Sequence, residues 1–164
     1  MSAVEGHKRN SNALRGSIKA VLGGDASHFE GPDASIIKFH GIYQEDDRDE
    51  RRTRMKARQE PAYILMVRTK IPGGCLTAAQ SLALDGLTDK LADGSLRVTT
   101  RQDIQFHGVL IGNLKELIKA IGQARLTTFG GCGDVERNVV ASHAPFHTPA
   151  NQEAYPQSAS QKPG

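Results

Sequence analysis

Between Tyr63 and Leu110 the apolar residues recur at every second position, then every three to four, then at every second position again. In "YILMVRTKI" Tyr63, Leu65, Val67, Thr69 and Ile71 share one face of an extended chain, and Ile64, Met66, Arg68 and Lys70 the other. Pro72-Gly73-Gly74 ends that strand. Thr77 with Gln80 forms a capping box, and Leu84, Leu87 and Leu91 stripe a helix that stops before Gly94. The spacing next predicts strands over 96–101 and 104–110, joined by a tight turn at Gln102-Asp103. Asn113 is then expected to cap a helix whose Leu114, Leu117, Ile118 and Ile121 fall at i, i+3, i+4 and i+7. Two helices alternating with three strands in this order must cover one face of a small antiparallel sheet.

The rest of the chain is less periodic. Leu14, Ile18, Val21 and Leu22 predict a first helix that Gly23-Gly24 stops, and "SIIKFHGIYQ" reads as a short extended piece. In "EDDRDERRTRMKARQE" Asp47/Arg51 and Glu50/Arg54 stand at i, i+4 with the acid first. That pattern fits a solvated helix or an arm that docks on another domain. "RNVVASHA" supplies either a last strand or the start of a further domain. After His147 the chain is polar, contains proline and lacks an apolar period, as disordered tails do. The division is therefore an arm over 1–60 (helix plus charged segment), a folded unit over 61–147 and a tail over 148–164. The fold class is α+β: a ferredoxin-like β-α-β-β-α half domain, a split βαβ unit short of one strand, preceded by a helical and extended N-terminal arm.

Composition excludes several roles. Lys plus Arg number 21 against 18 Asp plus Glu, a net +3, aromatics make up 5% and there is no Trp. Neither a strong basic field nor stacking platforms are supplied, so no nucleic-acid partner is expected. "MSAVEGHKRNSNALRG" lacks a signal peptide's apolar run, and no window resembles a membrane span, which predicts a cytoplasmic protein with no membrane contact. The two cysteines, Cys75 and Cys132, lie far apart without a CxxC, so thiolates alone build no metal site and both are expected as reduced structural thiols.

Charge within the two paired strands is one-sided. Strand parity sets Arg97, Thr99 and Arg101 against Leu96, Val98 and Thr100, and Gln105 and His107 against Ile104 and Phe106. With the apolar sides on the helices, the other side collects Arg68, Lys70, Arg97, Thr99, Arg101, Gln105 and His107. Asp103 is the one acid in this hairpin, and parity places it in the turn. A solvated sheet face carries long polar side chains too, but such faces mix both signs, whereas converging guanidinium forks match a ligand with several carboxylates or a small oxyanion. "GGCGDVERNVV" adds a Gly-rich turn followed by Arg137 and Asn138, a second source of donors.

Four segments, "KFHGIYQEDDRDERR", "MVRTKIPGG", "SLRVTTRQDIQFHGV" and "GDVERNVV", occur in this order at spacings that resemble the N-terminal part of the hemoprotein subunit of the nitrite/sulfite reductase family. The first segment is closer to the sulfite branch. The resemblance implies a siroheme coupled to a 4Fe-4S cluster and the six-electron reduction of sulfite to sulfide in sulfur assimilation. It assigns Arg68 and Arg137 to the substrate oxyanion, and Arg97, Thr99, Thr100, Arg101, Gln105, His107 and Asn138 to the cofactor's carboxylates or pocket. Parity alone would turn Thr100 inward, and Lys70 is a further candidate. The resemblance also implies partners: sulfite, a C-terminal half or a second copy of the chain, and a flavoprotein reductase or ferredoxin as electron donor. Cys75 and Cys132 do not match the family's cluster ligands, so the chain on its own is expected to be inactive toward sulfite. The alternative is a stand-alone anion-binding or interaction module without redox activity.

Overall fold

A computed structural model describes residues 2–132, 136–142 and 149. The expected β-α-β-β-α order is present as β2 (Tyr63–Arg68), α5 (Ala78–Leu91), β3 (Leu96–Val98), β4 (Ile104–Val109) and α6 (Ile111–Gln123). Ahead of it run α1 (Ala3–Asn10), α2 (Ile18–Val21), α3 (Asp33–Ile36), β1 (Ile42–Asp46) and α4 (Arg48–Lys56). The sheet is antiparallel in the order β1-β2-β4-β3. β1 comes from the segment expected as an arm, and Phe29, Ile37 and Ile42 from that segment lie in the same core as Leu65, Val67 and Phe106. Burying such side chains, each for roughly 1.5–3 kcal/mol, joins the two stretches into one packed body.

The helices follow their sequence signals closely. Thr77 Oγ1 accepts the Gln80 N–H while the Gln80 side chain accepts from the Thr77 N–H, the reciprocal cap that starts α5. Leu114, Leu117 and Ile121 of α6 are buried on β4 and β2 residues. α6 begins two residues before the expected cap. Leu110 is its N-cap residue, and Asn113 sits inside the helix with Nδ2 directed to the Leu91 carbonyl at 3.5 Å.

Other expectations need correction. The helix expected over Leu14–Leu22 is broken, because Asn12, Ala13, Leu14 and Gly16 all take positive φ, and only Ile18–Val21 is helical. "SIIKFHGIYQ" is mostly helical before it becomes β1: α3 and a 3-10 turn over Ile37–His40 precede the strand. The charged run does form a helix, but Asp47 caps it, accepting from the Asp49 and Glu50 N–H groups, so Arg51 pairs with Asp46 instead. Glu50–Arg54 forms as expected at 2.5 Å. β3 ends at Val98 rather than residue 101, because the Thr99 hydroxyl accepts from the Arg101 and Asp103 N–H groups and folds 99–103 into a turn. Val98 is 79% exposed on this edge strand and does not face the helices. Residues 136–142 form no strand, and the remainder of "RNVVASHA" and the 150–164 tail lie outside the described residues.

One irregularity shapes the site. Leu65 pairs with Val109 and Val67 with Phe106, so β4 takes one residue more than β2 over the same span. Gly108, at φ +65, absorbs the extra residue, and a Cβ there would lie 2.9 Å from Asp93 Cβ. This bulge lets Phe106 and Val109 both enter the core while Gln105 and His107 stay on the opposite face.

Candidate functional site

The register of three strands assembles the cationic face. Arg68 on β2 pairs with Gln105 on β4, and Gln105 pairs with Arg97 on β3, so the three side chains lie in one row across the sheet. The Gln105 amide lies between Arg68 and His107. With Oε1 toward Arg68 it accepts from Nε at 3.0 Å and from Nη2, and Nε2 reaches His107 Nε2 at 3.3 Å; the opposite orientation would set donor against donor. His107 is therefore the acceptor in that contact and carries its proton on Nδ1. Burial, and then Arg97, push its pKa below 6.5, with Arg68 acting in the same sense and Glu45 and Asp93 opposing. A neutral His107 leaves the net positive charge of the row on its two arginines.

The turn after β3 supplies the second group. Thr100 and Arg101 are exposed at its tip, Arg97 is exposed on the strand before it, and the Thr99 hydroxyl is engaged by backbone within the turn. Thr100 does not follow strand parity, because the chain has left the strand by Thr99. Asp103 is fully buried, Oδ1 accepting from the Ile71 N–H at 3.2 Å and Oδ2 lacking a hydrogen-bond partner. Burial raises its pKa against the pull of Arg68, Arg101 and Lys70. An acid in the turn thus sits buried close to the cations.

Residues 136–142 run against this turn. Asn138 is buried, and its Nδ2 donates to the Ile71 carbonyl at 2.6 Å and the Arg101 carbonyl at 2.8 Å. The Val139 carbonyl accepts from the Gly73 N–H at 2.8 Å, and Lys70 Nζ reaches the Glu136 carbonyl at 3.4 Å. Arg137, between two anchored residues, is half-buried. Burial pushes the pKa of the buried Cys132 thiol up, with Arg68 and Arg137 opposing. Every site residue expected from sequence therefore falls on the row, the turn or the docked segment, although Thr99 and Asn138 spend their side chains within the protein. Gln102 and Asp103 are placed in the turn by the sequence but are given no role in the site there. The available signal was a turn, "TRQD", with neither Gly nor Asn in it.

Residues 56–124 match the nitrite/sulfite reductase ferredoxin-like half domain. The chain thus carries a nitrite/sulfite reductase ferredoxin-like half domain. It is 45% identical over 155 residues to the sulfite reductase (NADPH) hemoprotein beta-component of Anoxybacillus flavithermus, covering 94% of this chain and 27% of the relative. Similarity to the protein of the same name from Xanthomonas oryzae pv. oryzae is 44% over 154 residues, again 27% of the relative's length. The chain thus spans about a quarter of these relatives. The solved structure of the Mycobacterium tuberculosis NirA protein matches 90% of the chain and 28% of its own length with a TM-score of 0.73 at 21% identity, which supports the fold. Among the described residues no group of three His, Cys, Asp or Glu side chains could hold a metal ion, and no helix is long and apolar enough to cross a membrane.

Proposed function

We propose that this chain is the anion-holding part of a siroheme-dependent sulfite reductase: Arg97 and Arg101 grip carboxylates of the tetrapyrrole, and Arg68 with Arg137 hold the sulfite oxygens. The observation that carries the reading is the Arg68–Gln105–Arg97 row, with Arg101 in the turn after β3 and Arg137 on the segment docked against that turn. Siroheme fits this donor set, because its periphery is rich in carboxylates and the exposed guanidinium groups of Arg97 and Arg101 make no ion pair with a described residue. When bound, siroheme supplies the redox-active iron. Gln105 orients Arg68 from below, and neutral His107 can exchange a proton at Nδ1.

A 4Fe-4S cluster does not fit the described residues. Cys132 is buried, Cys75 is half-buried, and neither belongs to a metal-ligand group. The chain on its own is therefore proposed to bind anions without reducing sulfite, the complete enzyme drawing its electrons from NADPH as its relatives' name states. Siroheme titration followed by absorbance tests the reading. Arg97→Gln and Arg101→Gln should each weaken binding roughly tenfold, the worth of one charge-assisted contact, and added salt should weaken the wild type. Equal affinity in all three proteins would remove the row's assignment. Sulfide produced by the chain with siroheme and a strong reductant would overturn its inactivity, and loss of siroheme binding with retained sulfite binding would favour the stand-alone anion module.

A further inference from the structure

Gln102 takes φ +63, a conformation in which a residue with a Cβ is disfavoured by about 1–2 kcal/mol and where turns use Gly or Asn. What Gly and Asn lack is reach. The Gln102 Oε1 accepts from the Ala141 N–H at 3.0 Å, and its Nε2 donates to the Ala141 carbonyl at 2.7 Å. The side-chain amide thus pairs with the N–H and C=O of one residue, as a neighbouring strand would. Gly74 leaves room for it, because a Cβ at Gly74 would lie 2.9 Å from Gln102 Cβ. The protein uses the same device once more, where Gln44 pairs both its amide groups with the Phe29 backbone, at 2.6 and 3.0 Å, and fixes a core residue.

The Ala141 joint closes one end of the segment that carries Arg137. Asn138 and the Val139 carbonyl hold its middle, but those anchors grip the 71–74 turn and the Arg101 carbonyl. Gln102 is the turn side chain that grips the far end. Arg137 itself makes no hydrogen bond to the described residues, so its placement rests on how its backbone is held.

We propose that Gln102 is a positioning residue: its amide clamps residues 136–142 to the 99–103 turn and so holds Arg137 beside Arg68 for an oxyanion. The clamp rests on the anion-binding reading above. The two hydrogen bonds to Ala141 offset the cost of the positive φ, which Gly or Asn would lower at the loss of that reach.

The test uses the whole chain with sulfite as the probe, by calorimetry, and amide exchange at Ala141 by NMR. Gln102→Gly removes the amide while relieving the positive φ, so folding is preserved; Gln102→Asn keeps a turn-compatible residue with an amide one methylene short. Both should speed Ala141 exchange at least tenfold and weaken sulfite binding by the same factor as Arg137→Ala, about tenfold for one charge-assisted contact. The double variant Gln102→Gly/Arg137→Ala should bind no more weakly than Arg137→Ala alone. Multiplying losses, or wild-type affinity in Gln102→Gly, would overturn the positioning role. Unchanged Ala141 exchange would overturn the clamp. Should the wild type fail to bind sulfite, the anion-binding reading falls and the positioning role falls with it, while Ala141 exchange still decides whether the clamp exists.

Discussion

Asp103 and His107 are two titratable groups in the site whose surroundings alter their acidity, in opposite senses. Burial raises the Asp103 pKa, so the folded chain binds a proton there more tightly than the unfolded chain does. Its contribution to stability is complete below the ordinary value of 3.8 and is lost as pH rises through the raised folded value. Asp103→Asn should flatten that decline and, by placing a donor where Oδ2 and the nearby Asn138 Oδ1 are unpartnered acceptors, stabilise the chain by about 1 kcal/mol at pH 7 in urea unfolding. A destabilised variant would show that the carboxylate is satisfied in solution. The shift at His107 has the opposite sense, so its neutral form supports the fold above 6.5 and that support is lost as pH falls through the depressed value. An NMR titration should place the imidazole midpoint below 6.5, and Arg97→Gln should raise it, because Arg97, on β3 opposite Gln105 of β4, is one of the charges that depress it. An unmoved midpoint would contradict the register.

At the level of elements, success followed the strength of the local signal. α5 and α6 were legible because apolar periodicity and a capping box act over neighbouring residues. Thr77→Ala should cost about 1 kcal/mol, read as a lower urea midpoint at unchanged slope. β4 was legible too, but its bulge was not: nothing in "QFHGV" distinguishes a glycine that kinks a strand from one that merely weakens it. Gly108→Ala should cost more than about 1 kcal/mol, since the new Cβ meets both a positive φ and Asp93. The end of β3 depended on the Thr99 hydroxyl choosing backbone over solvent, a competition that residue alternation does not register. The break before α2 has the same character, since Ser11 Oγ accepts from the Leu14 N–H and helps hold a left-handed turn where periodicity continues a helix. Of the site, the basic row was legible because strand period and charge coincide; the roles of Gln102 and Asp103 were not, because their partners, Ala141 and Ile71, each lie more than thirty residues away.

For the molecule as a whole, the sheet does not respect the boundary that composition draws at residue 60. β1 covers one side of β2, and Phe29, Ile37 and Ile42 fill the same core as the half domain's helices. A protein cut to residues 61–164 should therefore fail to fold into a soluble monomer, checked by circular dichroism and gel filtration, because β2 would present an unpaired edge and the core would lose three large side chains. A cooperative, monomeric truncation would show that β1 is dispensable. The same integration explains why the proposed anion site draws on so much of the chain: the row comes from β2, β3 and β4, and Arg137 from a stretch that belongs to no strand. The joint that ties in this last stretch has an evolutionary consequence. Gln102 takes hold of the backbone N–H and C=O of one residue and ignores the methyl group between them, so position 141 can drift among residue types while position 102 cannot, and the freedom to vary is spread unequally over the two halves of a single contact.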